Sequence, residues 1–296
     1  MYRNQQQRNL VPRVAAIHDL SGFGRSSLTV VTPILSTMGI QVCPLPTAVL
    51  STHGAIKGHT FLDLTQEMEA IIAHWKSLDL RFDSIYSGYL GSPAQANLVC
   101  EFIDAFKNEE QCVVVDPVLG DNGELYPSME EEMVDKMRFL VEKADIITPN
   151  LTEACLLLGE KYREDFTNDE LKNFAVRLSN EGPQIVIITS VSPDEEQNKA
   201  GVIAYNKAEE RFWKVSCDYM PASYPGTGDA FASVITGALL QGDSLPIALD
   251  RAVQFISIAV RATFGYNYDA REGILLEKVL PSLNAPVQVS SYQLFD

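Results

Sequence analysis

The chain has 296 residues, 46% of them hydrophobic, which suffices for one large α/β domain or two smaller ones. Its 23 basic and 39 acidic residues give a net charge of −16, so the surface disfavours nucleic acid and anionic membranes as partners. The five cysteines are scattered and include no C-x-x-C pair. This argues against a disulfide framework or a zinc site and fits the reducing cytoplasm. No stretch of the sequence reaches the ~20 apolar residues of a membrane span.

The apolar pattern alternates along the chain between the period of a strand and that of a helix. Residues 1–12 are polar and are predicted to form a tail before the first strand, at residues 14–18. Residues 41–50 are predicted to form one or two short extended pieces broken by Pro44 and Pro46, and proline there favours an edge strand or a separate flap. Strands are also predicted at residues 84–89, 112–115, 146–148 and 185–189, with a hairpin at 201–217. Helices are predicted at residues 26–38, 64–78, 93–106, 129–144, 151–158, 168–180, 229–240 and 246–263.

This alternation of solid apolar strands with helices predicts a mostly parallel sheet covered by helices on both faces. No linker rich in Pro, Gly or Ser divides the sequence. Residues 13–296 are therefore predicted to form a single doubly wound α/β domain, with a small β flap at about residues 41–60. In such sheets, ligands bind beyond the carboxyl ends of the strands.

Gly226, Thr227, Gly228 and Asp229 stand directly before an apolar helical run. Glycines allow a sharp turn, and the free N–H groups of a helix start form an anion site. A carboxylate beside that site suits a base that takes a proton from a hydroxyl attacking a phosphoryl group. Asp also caps helices and Gly favours turns, so these four residues alone leave both interpretations open. The helix dipole and nearby N–H groups predict an ionised Asp229 with a low pKa.

Polar residues also follow several of the predicted strands. Asp116, Asp121, Asn150 and Glu153 bring three carboxylates and an amide toward one edge of the sheet. Such hard oxygen ligands near a phosphate site suggest Mg²⁺ that stays partly hydrated. The alternative is that Asp and Asn simply begin loops, and Asn150 with Glu153 by itself fits a helix cap.

Other nucleotide-binding signatures are absent from the sequence. It has no G-x-x-x-x-G-K-[ST] motif and no protein-kinase motifs. The loop with Gly22 and Gly24 lacks the spacing of a dinucleotide fingerprint. His53 and His59 lie in a glycine-bearing loop, where they either line a pocket or face solvent, and His74 is interpreted as structural.

In their order along the chain, these pieces resemble the vitamin B6 (pyridoxal, pyridoxine and pyridoxamine) kinases of the ribokinase superfamily. The resemblance extends over residues 14–281. Its matching pieces are His18-Asp19 with Gly22-Phe23-Gly24-Arg25, Ser51-Thr52-His53-Gly54, Ser87-Gly88-Tyr89, Asp116-Pro117-Val118-Leu119-Gly120-Asp121, Ile147-Thr148-Pro149-Asn150 with Glu153-Ala154, Ile188-Thr189-Ser190, and Gly226-Thr227-Gly228-Asp229.

The resemblance implies a ribokinase-like fold and an alcohol phosphotransferase of vitamin B6 salvage. The reaction implied is transfer of the ATP γ-phosphate to the 5′-hydroxymethyl group of a B6 vitamer. ATP is then the co-substrate and Mg²⁺ the cofactor, with a monovalent cation such as K⁺ nearby. The resemblance further implies a cytoplasmic homodimer.

Residue by residue, Asp229 resembles the catalytic base, and Gly226, Thr227 and Gly228 resemble the anion hole around the γ-phosphate. The residues that resemble the substrate pocket are Asp19, Ser21, Thr52, His53 and Tyr89. Those that resemble the ATP site are Asp116, Asn150, Thr189, Ser190 and Thr227. Those that resemble the cation sites are Asp121, Glu153 and Thr148. The flap is expected to cover the pyridine ring, and the adenine to lie between residues 212–217 and 253–256.

Two alternatives are weighed against the B6 kinases. Hydroxymethylpyrimidine kinases of thiamine synthesis typically carry Cys in place of Asp229, and Gln-Asn-Thr in place of residues 50–52. A catalytically inactive B6-binding protein would be expected to lose Asp229 or the 226–228 turn, and this sequence keeps both. It departs from the pattern at Asp19, where some members carry Ser. Residues 192–199 are also more acidic than the basic loop that some members fold over ATP.

Overall fold

The computed structural model describes residues 9–191, 199–286 and 291–295. Most of the predicted tail and nearly all of the acidic 192–199 segment lie outside these residues. The strands are β1 (Arg13–Ser21), β2 (Gln41–Leu50), β3 (Phe61–Asp63), β4 (Ser84–Ser87), β5 (Cys112–Val115), β6 (Gly120–Asp121), β7 (Glu124–Leu125), β8 (Ile146–Ile147), β9 (Ile185–Val191), β10 (Lys199–Asn206), β11 (Arg211–Asp218) and β12 (Gln293–Leu294).

The helices are α1 (Leu28–Thr37), α2 (Thr65–Ser77), α3 (Pro93–Phe106), α4 (Glu131–Glu142), α5 (Leu151–Leu158), α6 (Asn168–Asn180), α7 (Thr227–Leu240), α8 (Leu245–Phe264) and α9 (Leu276–Val279). Two short 3₁₀ helices, Ala270–Glu272 and Leu280–Asn284, flank α9. Among the described residues, no helix combines the length and the apolar character that crossing a bilayer requires.

One ten-stranded sheet has the order β12-β11-β10-β9-β8-β5-β4-β1-β2-β3. The strands from β2 to β9 in this order pair in parallel, and antiparallel strands extend the sheet on both sides. Because the parallel strands begin on one side of the molecule, their carboxyl ends share one edge.

Helices cover both faces of the sheet, because successive strand residues point to opposite sides. On β1, Ala15 and Ile17 pack in the cluster formed with α2 to α6, while Val14 and Ala16 pack in the cluster formed with α1, α7, α8 and α9. All four are fully buried, which explains why the strand is apolar throughout rather than alternating. The predicted doubly wound α/β fold, with a mostly parallel sheet and helices on both faces, is confirmed.

The segment with Pro44 and Pro46 is one continuous strand, β2, in the main sheet, so the prediction that the prolines break it is wrong. The prediction of an edge position is confirmed for the part of β2 that carries the prolines, which pairs, among the described strands, with β1 on one side only. Both prolines lie before Ala48, where the pairing of β2 with β3 begins. Their missing N–H groups therefore leave no hydrogen bond to β3 unmade. The small antiparallel flap is formed by the end of β2, by β3, and by the loop between them.

Candidate active site

The start of α7 packs against the loop that follows β1. Gly226, immediately before the helix, has a left-handed backbone with φ of +81°. A Cβ atom there would overlap the carbonyl oxygen of Arg25, so only glycine permits this close approach. The first N–H groups of α7 have no acceptor within the helix, and such a helix start binds anions readily. The hydroxyl of Thr227 donates to the Tyr224 carbonyl (3.0 Å) and fixes the turn.

The carboxylate of Asp229 turns away from its own helix. Its Oδ2 atom accepts hydrogen bonds from the backbone N–H of Ser27 (2.8 Å) and from the hydroxyl of Ser26 (3.4 Å). The N-terminal cap of α7 is Gly226, and no side chain caps this helix. The interpretation of Asp229 as a helix cap is therefore wrong. The side chain is 11% exposed, which leaves it accessible to a ligand.

Burial raises the pKa of Asp229 from 3.8 to about 6. The N–H of Ser27 and the hydroxyl of Ser26 oppose the shift, and the negative charge of Asp19 adds to it. The expectation of a low pKa is therefore wrong, because desolvation outweighs the helix dipole and the hydrogen bonds. A carboxyl that titrates near pH 6 is ionised at neutral pH and is a better proton acceptor than an ordinary aspartate.

A second buried carboxyl, Asp116, lies across Gly228 from the same region. It follows β5, and the hydroxyl of Thr148 donates to its Oδ1 atom (3.0 Å). Its Oδ2 atom would be 3.8 Å from a Cβ atom built on Gly228. Burial, followed by the charge of Asp229, raises the pKa of Asp116 to about 7, while the Thr148 hydrogen bond opposes the shift. Negative charge is thus concentrated beside a helix start that favours anions.

Asn150 and Glu153 form a capping box at the start of α5. The Asn150 side chain accepts from the N–H of Glu153 (2.9 Å), and the Glu153 carboxylate accepts from the N–H of Asn150 (2.8 Å). The other Glu153 oxygen accepts from the N–H of Leu119 (3.1 Å), and the Asn150 amide donates to the Gly120 carbonyl (2.8 Å). The cap interpretation is confirmed, and both side chains also brace the loop that follows β5.

The remaining predicted ATP and cation residues lie at the same edge of the sheet. Asp121 is exposed on β6 and accepts from the N–H of Asn122 (2.9 Å). Thr189, near the end of β9, donates its N–H to the Pro149 carbonyl (2.9 Å) next to Asn150. Ser190 follows with a left-handed φ of +57°. No group of three or more His, Cys, Asp or Glu side chains placed to hold a metal occurs within the described part of the chain.

Two of the predicted substrate residues, Asp19 and Ser21, form one buried hydrogen-bonded unit. The Ser21 hydroxyl donates to one Asp19 oxygen (2.8 Å), and the Ser27 hydroxyl donates to the other. Burial raises the pKa of Asp19, although both hydroxyls oppose the shift. Because the N–H of Ser27 also binds Asp229, Ser27 links the two carboxylates.

Tyr89 is partly buried, and its hydroxyl donates to Ser128 (3.3 Å). Burial raises its pKa, and the charge of Asp19 contributes, so the two side chains lie within electrostatic reach of each other. Thr52 is also partly buried, with its hydroxyl 3.4 Å from the His53 carbonyl. These placements are compatible with a shared pocket, and the contacts with substrate stay predictions.

His53 is buried and fastens the flap loop to a distant segment. Its Nε2 atom bonds to the Arg271 carbonyl (2.5 Å), and its Nδ1 atom accepts from the N–H of Ala55 (3.3 Å). A Cβ atom at Gly24 would overlap the imidazole, so the ring also packs on the loop after β1. Both ring nitrogens are therefore engaged within the protein.

Three residues around Asp229 have no role predicted from the sequence: His18, Ser26 and Ser27. The feature of the sequence that could have indicated them is the polar run that follows the apolar part of β1. Such a run is ordinary in a loop, and only the folded chain shows that it surrounds the carboxylate of Asp229.

Comparison with known proteins supports the fold and shows the family of the chain. The sequence model of the phosphomethylpyrimidine kinase family matches residues 15–273. A Bacteroides thetaiotaomicron protein provisionally called a phosphomethylpyrimidine kinase, crystallised with pyridoxal, is 61% identical with a TM-score of 0.94. The match covers 96% of this chain and 100% of that one.

Two further relatives are named as pyridoxal kinases. The Lactobacillus plantarum pyridoxal kinase structure is 33% identical with a TM-score of 0.84, covering 93% of this chain and 97% of its own. Pyridoxal kinase PdxY of Burkholderia lata is 29% identical over 247 residues, which are 80% of this chain and 82% of that protein. The chain belongs to the phosphomethylpyrimidine kinase family, within the ribokinase-like superfamily.

Proposed function

We propose that this protein is an ATP-dependent kinase that phosphorylates the 5′-hydroxymethyl group of pyridoxal, pyridoxine or pyridoxamine. The observation that carries the proposal is Asp229, a nearly buried carboxylate of raised pKa beside the left-handed turn at Gly226. The names of the relatives, and the pyridoxal in one of their crystals, support the choice of substrate.

In this proposal the substrate hydroxyl lies against Asp229, in line with the γ-phosphate. Asp229 takes the hydroxyl proton as the new O–P bond forms and the bond to the departing ADP breaks. In a loose transition state the proton leaves late, so a carboxylate with a pKa of about 6 suffices. The N–H groups of Thr227 and Gly228 stabilise the charge on the transferred phosphoryl oxygens.

ATP and Mg²⁺ are the co-substrate and cofactor of this proposal. Because Glu153 already accepts two backbone hydrogen bonds, Asp121 is the carboxylate best placed to meet a hydrated Mg²⁺. Mg²⁺ would be held mainly by the nucleotide phosphates and water, and would neutralise their charge. A monovalent cation such as K⁺ fits beside Asp116 and Thr148, because a positive charge there would offset the burial and the repulsion from Asp229 that together raise the pKa of Asp116. For the nucleotide we propose contacts with Asn150, Thr189, Ser190 and Thr227.

For the pyridine ring we propose contacts with Asp19, Ser21, Thr52 and Tyr89, with His53 holding the flap in place. Tyr89→Ala should then raise the KM for the vitamer several-fold and leave the KM for ATP close to that of the wild type. The opposite pattern would mean that the two pockets have been exchanged. His74→Ala, on the exposed face of α2, is the control for nonspecific effects.

We further propose a cytoplasmic homodimer. The five cysteines are all free, as in a reducing compartment. Leu20, Val49 and Leu62 stand side by side on β1, β2 and β3 and are 40%, 38% and 60% exposed, an apolar row that a second copy would cover. Light scattering after gel filtration should give a dimer, and Val49→Lys should shift it toward the monomer. A monomeric wild-type protein would contradict the proposal.

The kinase proposal is tested with purified protein and Mg·ATP on four acceptors: pyridoxal, pyridoxine, pyridoxamine and hydroxymethylpyrimidine. We expect a 5′-phosphate of at least one B6 vitamer, identified by mass spectrometry, together with stoichiometric ADP. Asp229→Asn is the matched negative control. Phosphorylation of hydroxymethylpyrimidine alone would overturn the proposal in favour of a kinase of thiamine synthesis.

A further inference from the structure

His18 is a fully buried imidazole to which the proposed reaction gives no role. It lies on β1, directly after Ile17, and neither ring nitrogen has a hydrogen-bond partner among the described residues. Buried polar side chains in native proteins nearly always have a partner. Two unpaired nitrogens on one buried ring therefore require an explanation.

The neighbours of His18 hold its ring in one orientation. The ring stands edge-on to Tyr86, with centroids 4.4 Å apart and an angle of 77° between the planes. The parallel register of β1 and β4 pairs Ile17 with Ser87 and so places His18 beside Gly88. A Cβ atom at Gly88 would overlap Nδ1 of the ring, so the imidazole occupies space that only a glycine leaves free.

In this orientation, Nδ1 of His18 faces the carboxylate of Asp229. It lies 3.9 Å from Oδ1, whereas Ser26 and Ser27 bind the other oxygen, Oδ2. A distance of 3.9 Å is longer than a hydrogen bond. Catalytic hydrogen bonds are often long without substrate and tighten when it binds.

The imidazole is neutral, because burial lowers the pKa of His18 to about 3. The titratable groups that face Asp229 are His18, Asp19, Tyr86, Asp116 and Tyr126. Asp19 and Asp116 only add negative charge, and burial raises the pKa of both tyrosines. His18 is the group with a ring N–H to direct at Oδ1.

We propose that His18 is a positioning residue, whose Nδ1–H is directed at Oδ1 of Asp229 and fixes the carboxylate in the orientation that receives the substrate proton. The inference rests on the proposed kinase function. A base oriented by a third group is a recurrent arrangement in group-transfer enzymes. An N–H beside a carboxylate also favours its ionised form, so His18 keeps Asp229 ready to accept a proton at neutral pH.

Three substitutions of His18 show which of its two ring nitrogens is needed for activity. The amide nitrogen of His18→Asn replaces Nδ1, that of His18→Gln replaces Nε2, and His18→Leu offers neither. We expect kcat to fall ~10–100-fold in the Leu and Gln variants, the range for losing a hydrogen bond to a charged group. The Asn variant should keep most of kcat. KM for ATP and vitamer should stay near wild type, and His74→Leu, in α2, should change nothing.

A second readout distinguishes positioning from a purely structural role. In the Leu variant, the acid limb of the kcat profile should move to higher pH, because Asp229 loses a group that favours its charge. In an Asp229→Asn background, His18→Leu should cause no further loss of kcat. An equal loss in both backgrounds, or full activity of the Leu variant, would overturn the proposal.

The thermal stability of the same variants provides a test that does not depend on turnover. At pH 8, where Asp229 is ionised, the Tm changes of His18→Leu and Asp229→Asn should be non-additive in the double variant, because each single variant already removes the interaction between the two side chains. Additive changes would overturn the role of His18. A wild-type protein that phosphorylates no B6 vitamer would overturn the kinase function instead, and the Tm cycle would still decide whether the two side chains are coupled.

Discussion

Two helices of this protein carry an acidic residue at the same position, and the two residues behave in opposite ways. Glu153 is the third residue of α5, and Asp229 is the third residue of α7. Glu153 folds back on its own helix and completes a capping box with Asn150. Asp229 reaches to Ser27, 202 positions away in the chain.

The residue before each helix accounts for the difference. Asn150 has an extended backbone and a side chain that can cap, so α5 satisfies its own N–H groups. Gly226 is left-handed and has no side chain, so the first N–H groups of α7 stay available to a ligand. An acidic residue in the first turn of an uncapped helix can therefore reach a distant segment, and the role proposed for Asp229 depends on this freedom.

The largest expected effect is that of Asp229→Asn on turnover. The amide keeps the shape of the side chain but cannot accept a proton, so kcat should fall ~10²–10⁴-fold. The stability of the same variant should rise. The pKa of Asp229 is about 6 in the folded protein, against an ordinary value of 3.8, so ionisation of this residue lowers the free energy of unfolding as the pH rises through this range.

At pH 8 the Asn variant should therefore gain up to about 3 kcal/mol of unfolding free energy, less the hydrogen bonds lost from Ser26 and Ser27. Thermal melts at pH 4 and pH 8 measure this, with Glu153→Gln as the comparison at the other helix. A variant that keeps near-normal kcat would remove Asp229 from the reaction.

The pH profile of the wild type gives the second largest effect. Asp229 and Asp116 titrate with pKa values of about 6 and about 7, so both carboxyls gain protons as the pH falls below neutral. We expect kcat/KM to fall about tenfold per pH unit below pH 6, where Asp229 is protonated. An acid limb that begins near pH 4 would show that the Asp229 pKa is that of an ordinary aspartate.

Glu153→Gln tests the other helix start. One oxygen becomes an amide NH₂ that faces a backbone N–H, which should cost about 1–3 kcal/mol and lower the Tm by a few degrees. Vitamer KM should not change. If Glu153 also belongs to the Mg²⁺ network, the Mg²⁺ concentration for half-maximal rate should rise. An unaltered Mg²⁺ dependence, together with a lowered Tm, would leave Glu153 as a cap alone.

The two helix starts also mark how far the sequence determines the structure. The pattern predicts α5 and α6 with their observed bounds, because Asn150 with Glu153 and Thr167 with Glu170 form capping boxes from neighbouring residues. The order of strands and helices likewise predicts the edge of the sheet where the candidate site lies. What fails depends on segments far apart in the chain: the continuity of β2 through its prolines, the raised pKa of Asp229, and the approach of His18 and Ser27.

The smallest effect is expected at the cap residue itself. Asn150→Ala removes the acceptor for the Glu153 N–H and the donor to the Gly120 carbonyl, at a cost of about 0.5–2 kcal/mol. Asn150→Ser, the matched control, keeps a capping oxygen and should recover part of that stability.

If Asn150 also contacts ATP, both variants should raise the KM for ATP, whatever their Tm. A KM for ATP equal to that of the wild type, with the Tm lowered only in the Ala variant, would contradict the ATP contact. The role of Asn150 would then be confined to holding α5 and the loop after β5 in place.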